Sequence, residues 1–419
     1  MSDQATAEAI EAVWRLESTR LVAGLVRMVR DVGLAEDLAQ DAMVAALAQW
    51  PADGIPDNPG AWLMTTAKRR AVDTFRRRER GERAYRTLAQ EVTEEVTEDS
   101  ILAALDHVED DVLRLMFLCC HPSLTPEAQT TLTLRLVAGL TAREIARAYL
   151  TTESTVAQRL VRAKKTLASA GAALEEPSQA ERAQRLGTVL GVIYLLFNEG
   201  YAATSGPDWA RPALCAEALR VGRILAALVP GHAEAHGLLA LMELQSSRLV
   251  ARVGPDGEPV LLADQDRSRW DAGHLARGLR ILTQAEKLAD EPGPYTLQAA
   301  VAACHARAAS TAETDWVRIA GLYERLARQT GSAVVEVNRA VALGMAYGPE
   351  AGLLLVDQLA DLPALRDYHL LPSVRGDLLS RLGRHEEART EFARAARLAG
   401  NERERTLLTR RARDLGMNP

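Results

Sequence analysis

The chain has 419 residues, of which 47% are hydrophobic and only 4% aromatic, and its formal net charge is -6. That length asks for several domains, and a core rich in Ala and Leu but poor in aromatics favours helices packed on helices over a β-sandwich or barrel. The mild acidity excludes a surface coated in basic residues, no apolar run reaches the roughly 18 residues of a membrane span, and Met1–Ala9 lacks the basic start and apolar stretch of a signal peptide. An all-α, cytoplasmic protein is expected.

Ala7 to Arg86 reads as helical, interrupted at Trp50–Pro59 by a loop rich in Pro, Gly and Asp, with a second helical unit starting near Asn58-Pro59. That second unit is strongly basic. From Trp62 to Arg86 it carries Lys68, Arg69, Arg70, Arg76, Arg77, Arg78, Arg80, Arg83 and Arg86 against Asp73, Glu79 and Glu82. One helix with such an excess neutralises phosphates and gains from counterion release, and an aromatic at its start, Trp62, either stacks on a base or joins the core, the core being the better reading. Thr87–Val112 then holds nine acidic residues and no Lys or Arg, a solvated linker that turns helical near Ile101.

Amphipathic helices return from Val112 to Gly171 and contain the sharpest local signal, Leu140 to Leu167, which has the form of a helix-turn-helix. Thr141 with Glu144 has capping-box spacing, and Thr152 or Ser154 caps the second helix. In that helix Val156, Leu160 and Ala163 form the buried stripe, leaving Ser154, Thr155, Gln158, Arg159, Arg162 and Lys165 towards solvent. Thr155, Gln158 and Arg159 are the base-contact candidates, while Arg162, Lys164 and Lys165 hold the phosphate backbone.

Beyond Glu175-Glu176-Pro177-Ser178 the pattern changes to repeats. Gly376, Leu379, Gly383, Ala388, Phe392 and Ala395 are spaced as in a tetratricopeptide helix pair, with looser pairs at Val335–Leu359, Ala213–Ser247 and Tyr295–Gln329. Leu249–Leu262 alternates around Pro255-Asp256-Gly257 and is the one β-hairpin expected. Gly200 is read as a helix C-cap between Asn198, Glu199 and Tyr201. Asp264, Asp266, Arg267, Arg269 and Asp271 form a charged cluster beside the hairpin, read as a solvated loop or internal salt bridges in preference to a contact site.

Cys119, Cys120, Cys215 and Cys304 lack CxxC spacing and read as buried, inert thiols. His232 and His236 are four apart, but Glu234 is misplaced for HExxH, so they belong to packing and no metal is expected. Without a Walker loop, GxGxxG or GxSxG, nothing supports an enzyme or a cofactor.

The order of these motifs resembles the sigma-70 family, specifically the extracytoplasmic-function group that keeps only the second and fourth sigma domains. Ala35–Trp50 is similar to that family's polymerase-binding helix, Pro59–Arg78 to its melting and minus-10 segment, and Leu140–Leu167 to its minus-35 reader. The resemblance implies that Glu36, Asp37, Gln40 and Asp41 face the clamp helices of bacterial core RNA polymerase, an acidic-to-basic contact that sets register and association rate. It implies that Trp62, Lys68, Arg69, Arg70, Arg76, Arg77 and Arg78 bind promoter DNA at the minus-10 region, capturing unstacked non-template bases. Ser154, Thr155, Gln158, Arg159, Arg162, Lys164 and Lys165 would serve the minus-35 region, and the acidic linker would thread the polymerase cleft.

Two positions depart from the family pattern: Arg69 stands where Asn is common, and Leu150 where the turn usually has Gly. The resulting division is 1–86 for sigma domain 2, 87–112 for the linker, 113–172 for sigma domain 4 and 178–419 for a tetratricopeptide-like α-solenoid. The resemblance implies that this last part, with its Phe197–Tyr201 and Gln265–Asp271 motifs, regulates the rest, and a repeat stack offers a concave face for a peptide or protein. The alternatives are a conventional helix-turn-helix regulator that never joins polymerase, and a scaffold localised by DNA binding.

Overall fold

The computed structural model describes residues 3–79, 108–149, 151–171, 179–202, 209–254 and 258–415. The fold is all-α, as expected. It divides into two compact units, 1–193 and 194–419, and helix Gln179–Tyr201 runs through the division.

The first unit begins with α1 (Asp3–Val29), α2 (Val32–Asp53) and α3 (Pro59–Glu79), which pack on one another. Leu21, Leu25, Leu38, Ala42, Trp50, Leu63, Ala67 and Phe75 lie in their common core. Asp31 caps α2 by accepting from the Leu34 amide at 2.8 Å, and Asn58 accepts from the Ala61 amide at 3.1 Å at the head of α3. The interruption is shorter than expected: α2 carries Pro51 inside its last turn and stops at Gly54, whose φ of +87° favours glycine.

Next come α4 (Val108–Cys119), α5 (Pro126–Leu132) running into a π-helical turn at Thr133–Val137, α6 (Ala142–Ala148) and α7 (Glu153–Ser169). The final five residues of the expected acidic linker are therefore helical, with Asp111 only 1% exposed and facing Arg27 at 3.4 Å. Burying Val112, Leu115 and Met116 supplies the reason, because the apolar stripe of α4 needs its first turn to be formed. The rest of the linker, including the turn to helix at Ile101, lies outside the described residues.

The second unit takes the last residues, 194–201, of α8 (Gln179–Tyr201) and continues with α9 (Pro212–Leu228), α10 (Ala233–Ser246), α11 (Ala272–Leu288), α12 (Pro294–Arg307), α13 (Trp316–Thr330), α14 (Ala333–Ala346), α15 (Pro349–Leu359), α16 (Leu370–Arg381), α17 (His385–Leu398) and α18 (Glu402–Asp414). Each segment read as a helix pair holds two consecutive helices. In α16 and α17 the close approach rests on Gly376, where a Cβ would sit 3.1 Å from the Phe392 ring and 3.2 Å from the Ala388 carbonyl.

Two expectations need correction. Gly200 does not cap a helix: it lies within α8, and a Cβ there would meet the Cys215 amide at 2.7 Å, so its small size lets α9 start against α8. The hairpin is reduced to one antiparallel bridge, Val253 with Pro259, with hydrogen bonds from the Gly254 amide to Glu258 and from the Val260 amide to Arg252. Leu249–Arg252 is a 3-10 turn instead of a strand. Pro259 has no amide to extend the ladder, and a two-stranded ribbon without a sheet to pack on is marginal. The turn residues 255–257 lie outside the described residues.

The remaining sequence features find local roles. His232 caps α10 by accepting from the Ala235 amide, His236 meets the Pro230 carbonyl at 2.9 Å, and Glu234 accepts from the Tyr295 and Thr296 amides at the head of α12. All four cysteines are buried free thiols, and burial pushes Cys120 and Cys215 up to about 12. Glu243 is 1% exposed and surrounded by Arg223, His274 and Arg277.

Candidate polymerase and DNA interface

The helix-turn-helix is built as its residues dictate. Thr141 donates its amide to the Glu144 carboxylate at 2.8 Å while the Glu144 amide donates back to the Thr141 hydroxyl at 3.2 Å, a reciprocal capping box for α6. Thr152, not Ser154, caps α7, accepting from the Thr155 amide at 3.2 Å. Val156, Leu160, Ala163 and Leu167 are buried, so Ser154, Gln158, Arg162 and Lys165 are exposed, and Thr155, Arg159 and Lys164 are half-buried. Leu150, where the turn departs from the family pattern, lies outside the described residues.

On α2 the four acidic and polar candidates separate. Asp37, Gln40 and Asp41 are exposed and continue into exposed Val44 and Leu47, one helical stripe that is acidic at one end and apolar at the other. Glu36 points the other way and is 5% exposed. Its carboxylate accepts from Arg135 at 2.5 Å and meets the Lys164 ammonium at 2.5 Å. Burial alone would raise this carboxyl, but the Arg135 and Lys164 cations outweigh it and hold it below the usual range.

That ion triad is one of several links between the segment of α1 to α3 and the helix-turn-helix segment. Thr19 donates to the Val137 carbonyl at 2.7 Å, and Gly139, at φ +70°, leaves room for the Ser18 hydroxyl. The π-helical turn Thr133–Val137 sets Arg135 towards Glu36 while its guanidinium also donates to the Leu140 carbonyl at 2.9 Å. Nothing in the sequence marked Arg135 or Arg27, because their partners are more than eighty residues away.

On α3, Trp62 is half-buried and packs edge-on against Trp50 with centroids 5.2 Å apart, the core reading. Arg69 is exposed, Arg70 pairs with Asp41 at 3.3 Å, and burial followed by the nearby Arg27 charge lowers the pKa of Lys68. Arg76, Arg77 and Arg78 continue the helix, their side chains lying outside the described residues.

Known families map onto this geometry. Residues 14–81 match Sigma-70 region 2 and residues 114–167 match Sigma-70 region 4, so α1 to α3 and the helix-turn-helix each coincide with one match. The ECF RNA polymerase sigma factor SigK of Mycobacterium ulcerans is 30% identical over 149 residues, covering 34% of this chain and 74% of that protein. The chain belongs to the extracytoplasmic-function sigma-70 family.

This sigma factor is also 30% identical over 179 residues to the probable ECF RNA polymerase sigma factor SigI of Mycobacterium tuberculosis, across 41% of its own length and 58% of the relative. An uncharacterized protein of Rhizobium meliloti is 42% identical over 399 residues, 94% of this chain and 93% of that protein, so the likeness extends through the second unit. Residues 185–286 match a family of unknown function, DUF6596. The sigma factor therefore carries a C-terminal helical extension beyond regions 2 and 4.

Proposed function

We propose that this sigma factor binds bacterial core RNA polymerase through α2, opens and reads promoter DNA through α3 and α7, and performs no catalysis of its own. The carrying observation is the exposed stripe Asp37, Gln40, Asp41, Val44 and Leu47 on α2, which has the acidic and apolar character of a protein-docking face and stays at the surface although Asp41 pairs with Arg70 and Gln40 donates to Glu36. On this reading the division is 1–86, 87–112, 113–172 and 178–419, the protein works where the polymerase works, in the cytoplasm, and the tetratricopeptide-like second unit modulates initiation by holding a peptide or protein.

Glu36 and Lys164 have a different standing from the other candidates. Each neutralises the other inside the first unit, so neither is available to polymerase or to a phosphate until region 4 leaves region 2. The described arrangement is a closed one, and promoter engagement requires its release.

The test is complex formation between the full-length chain and core RNA polymerase. Wild type should co-elute and support promoter-specific transcription, and Asp37→Lys with Asp41→Lys should weaken core binding by roughly a hundredfold, as two attractive contacts become repulsive. Unchanged core affinity in that variant would leave the conventional-regulator reading in its place.

A second measurement addresses α7. Arg162→Ala with Lys165→Ala is expected to reduce the slope of log affinity against log salt by about 2, near 0.9 per phosphate contact, with sequence preference retained. Gln158→Ala should instead cost about 1–3 kcal/mol on the preferred site and relax the preference there. The same salt slope in wild type and the double variant would remove Arg162 and Lys165 from the phosphate contacts.

A further inference from the structure

Two sequence motifs with no part in polymerase or DNA binding meet in the second unit. Tyr201, from Phe197–Tyr201, and Arg267 with Trp270, from Gln265–Asp271, gather around Arg248 and Arg252. The Arg252 guanidinium lies 3.5 Å from the centre of the Tyr201 ring and Arg248 5.9 Å from it. Arg248 is also 5.5 Å, and Arg267 4.9 Å, from the centre of the Trp270 ring.

Three guanidiniums thus share one aromatic cluster, yet among the described residues no carboxylate lies at ion-pair distance from any of them, the Glu313 charge acting on Arg267 only from further off. Their acceptors are neutral oxygens. Arg252 donates to the Tyr201 carbonyl at 2.7 Å and Arg248 to the Tyr201 hydroxyl at 2.6 Å. Arg267 donates to the carbonyls of His305 and Ala308. Ring faces offset part of the charge, but burying cations together without an anion is costly, and Arg252 is only 6% exposed.

The hydrogen-bond inventory is unbalanced in the same sense. The Arg248 Nε–H and the Trp270 Nε1–H are both buried donors with no acceptor among the described residues. His305 beside them is pushed down to about 4 by burial and then by Arg248 and Arg267, so it adds no charge at neutral pH, and its Nδ1 has no partner among the described residues. Arg248 and Arg267 are half-buried, which leaves the cluster open to solvent. Among the described residues, what the three guanidiniums lack is an anion at ion-pair distance with several acceptor oxygens.

We propose that Arg248, Arg252, Arg267 and Trp270 form a binding site for a phosphate group, free or carried on a small molecule. Phosphate fits better than a carboxylate because it brings more charge and more acceptor oxygens to several guanidinium forks at once. The site belongs to the second unit and stands independently of the function proposed for the first.

Isothermal titration of the full-length protein with inorganic phosphate, phenyl phosphate and acetate, at constant ionic strength set with chloride, tests the assignment. Saturable binding of either phosphate, at least about tenfold tighter than acetate, is expected, and tighter binding of the ester would identify a phosphorylated small molecule as the occupant. Arg248→Gln should weaken it by about tenfold, the loss of one charge-assisted hydrogen bond, while Arg328→Gln, at an exposed position of α13, should not. Trp270→Phe, which keeps the ring and removes only the Nε1–H donor, serves should Arg248→Gln fail to fold. No saturable phosphate binding by wild type, equal binding of acetate, or unchanged affinity in the folded site variants would overturn the assignment.

Discussion

Arg135→Met is expected to loosen region 4 from region 2 by about 3 kcal/mol, roughly a hundredfold in the closed-to-open ratio. Glu36 is almost fully buried, and its charge is tolerable there because Arg135 and Lys164 both reach it. With Arg135 gone, one ammonium and the Gln40 amide remain, and opening the unit returns the carboxylate to water more cheaply than keeping it buried. Labels at Ala48→Cys and Ser169→Cys, both exposed, would report the separation by energy transfer, the native cysteines being buried. An unchanged distance distribution would mean that apolar packing, not the ion triad, holds the two regions together.

The same contact has a definite pH sense. The Glu36 carboxyl is held below its ordinary value of 4.5 in the closed state, so its contribution is complete above that value and disappears as pH falls through the lower folded value. Wild type should therefore open in acid below about pH 4.5, while Glu36→Gln should show no such transition. An identical acid response in the two proteins would assign the opening to groups other than Glu36.

Glu243→Gln should destabilise the second unit by on the order of 3 kcal/mol, read from denaturant midpoints at constant slope. Glu243 accepts from Arg223 at 2.7 Å, from His274 at 2.6 Å and from Arg277 at 3.2 Å while 1% exposed. An amide leaves these donors without a compensating charge and turns its own NH2 towards one of them. Arg223 and Arg277 are about half exposed and recover hydration, which limits the loss. A change below about 0.5 kcal/mol would show that the cations are solvated already and that Glu243 is a spectator.

Helical periodicity and caps were legible because they are local. The Thr141–Glu144 box, the Val156, Leu160, Ala163 stripe and the small residues of Gly376–Phe392 each require only neighbours within a few turns or one tight helix pair. Charge was legible only as a candidate surface. Glu36 reads like Asp37 and Asp41 in sequence, and Arg267 reads like part of a solvated loop, because residue type does not say which partner a long side chain will find.

Determined by the sequence alone were the all-α class, the order of an acidic helix, a basic helix and a helix-turn-helix, and the helix pairs that follow. Tertiary structure decided that Glu36 turns inward to Arg135 and Lys164, that the hairpin shrinks to a single bridge, and that Tyr201, Arg248, Arg252, Arg267 and Trp270 converge. The physical reason is range: caps and amphipathic stripes are settled within a few helical turns, whereas a buried ion pair or a cluster of guanidiniums exists only once distant segments have been packed together and water has been excluded between them.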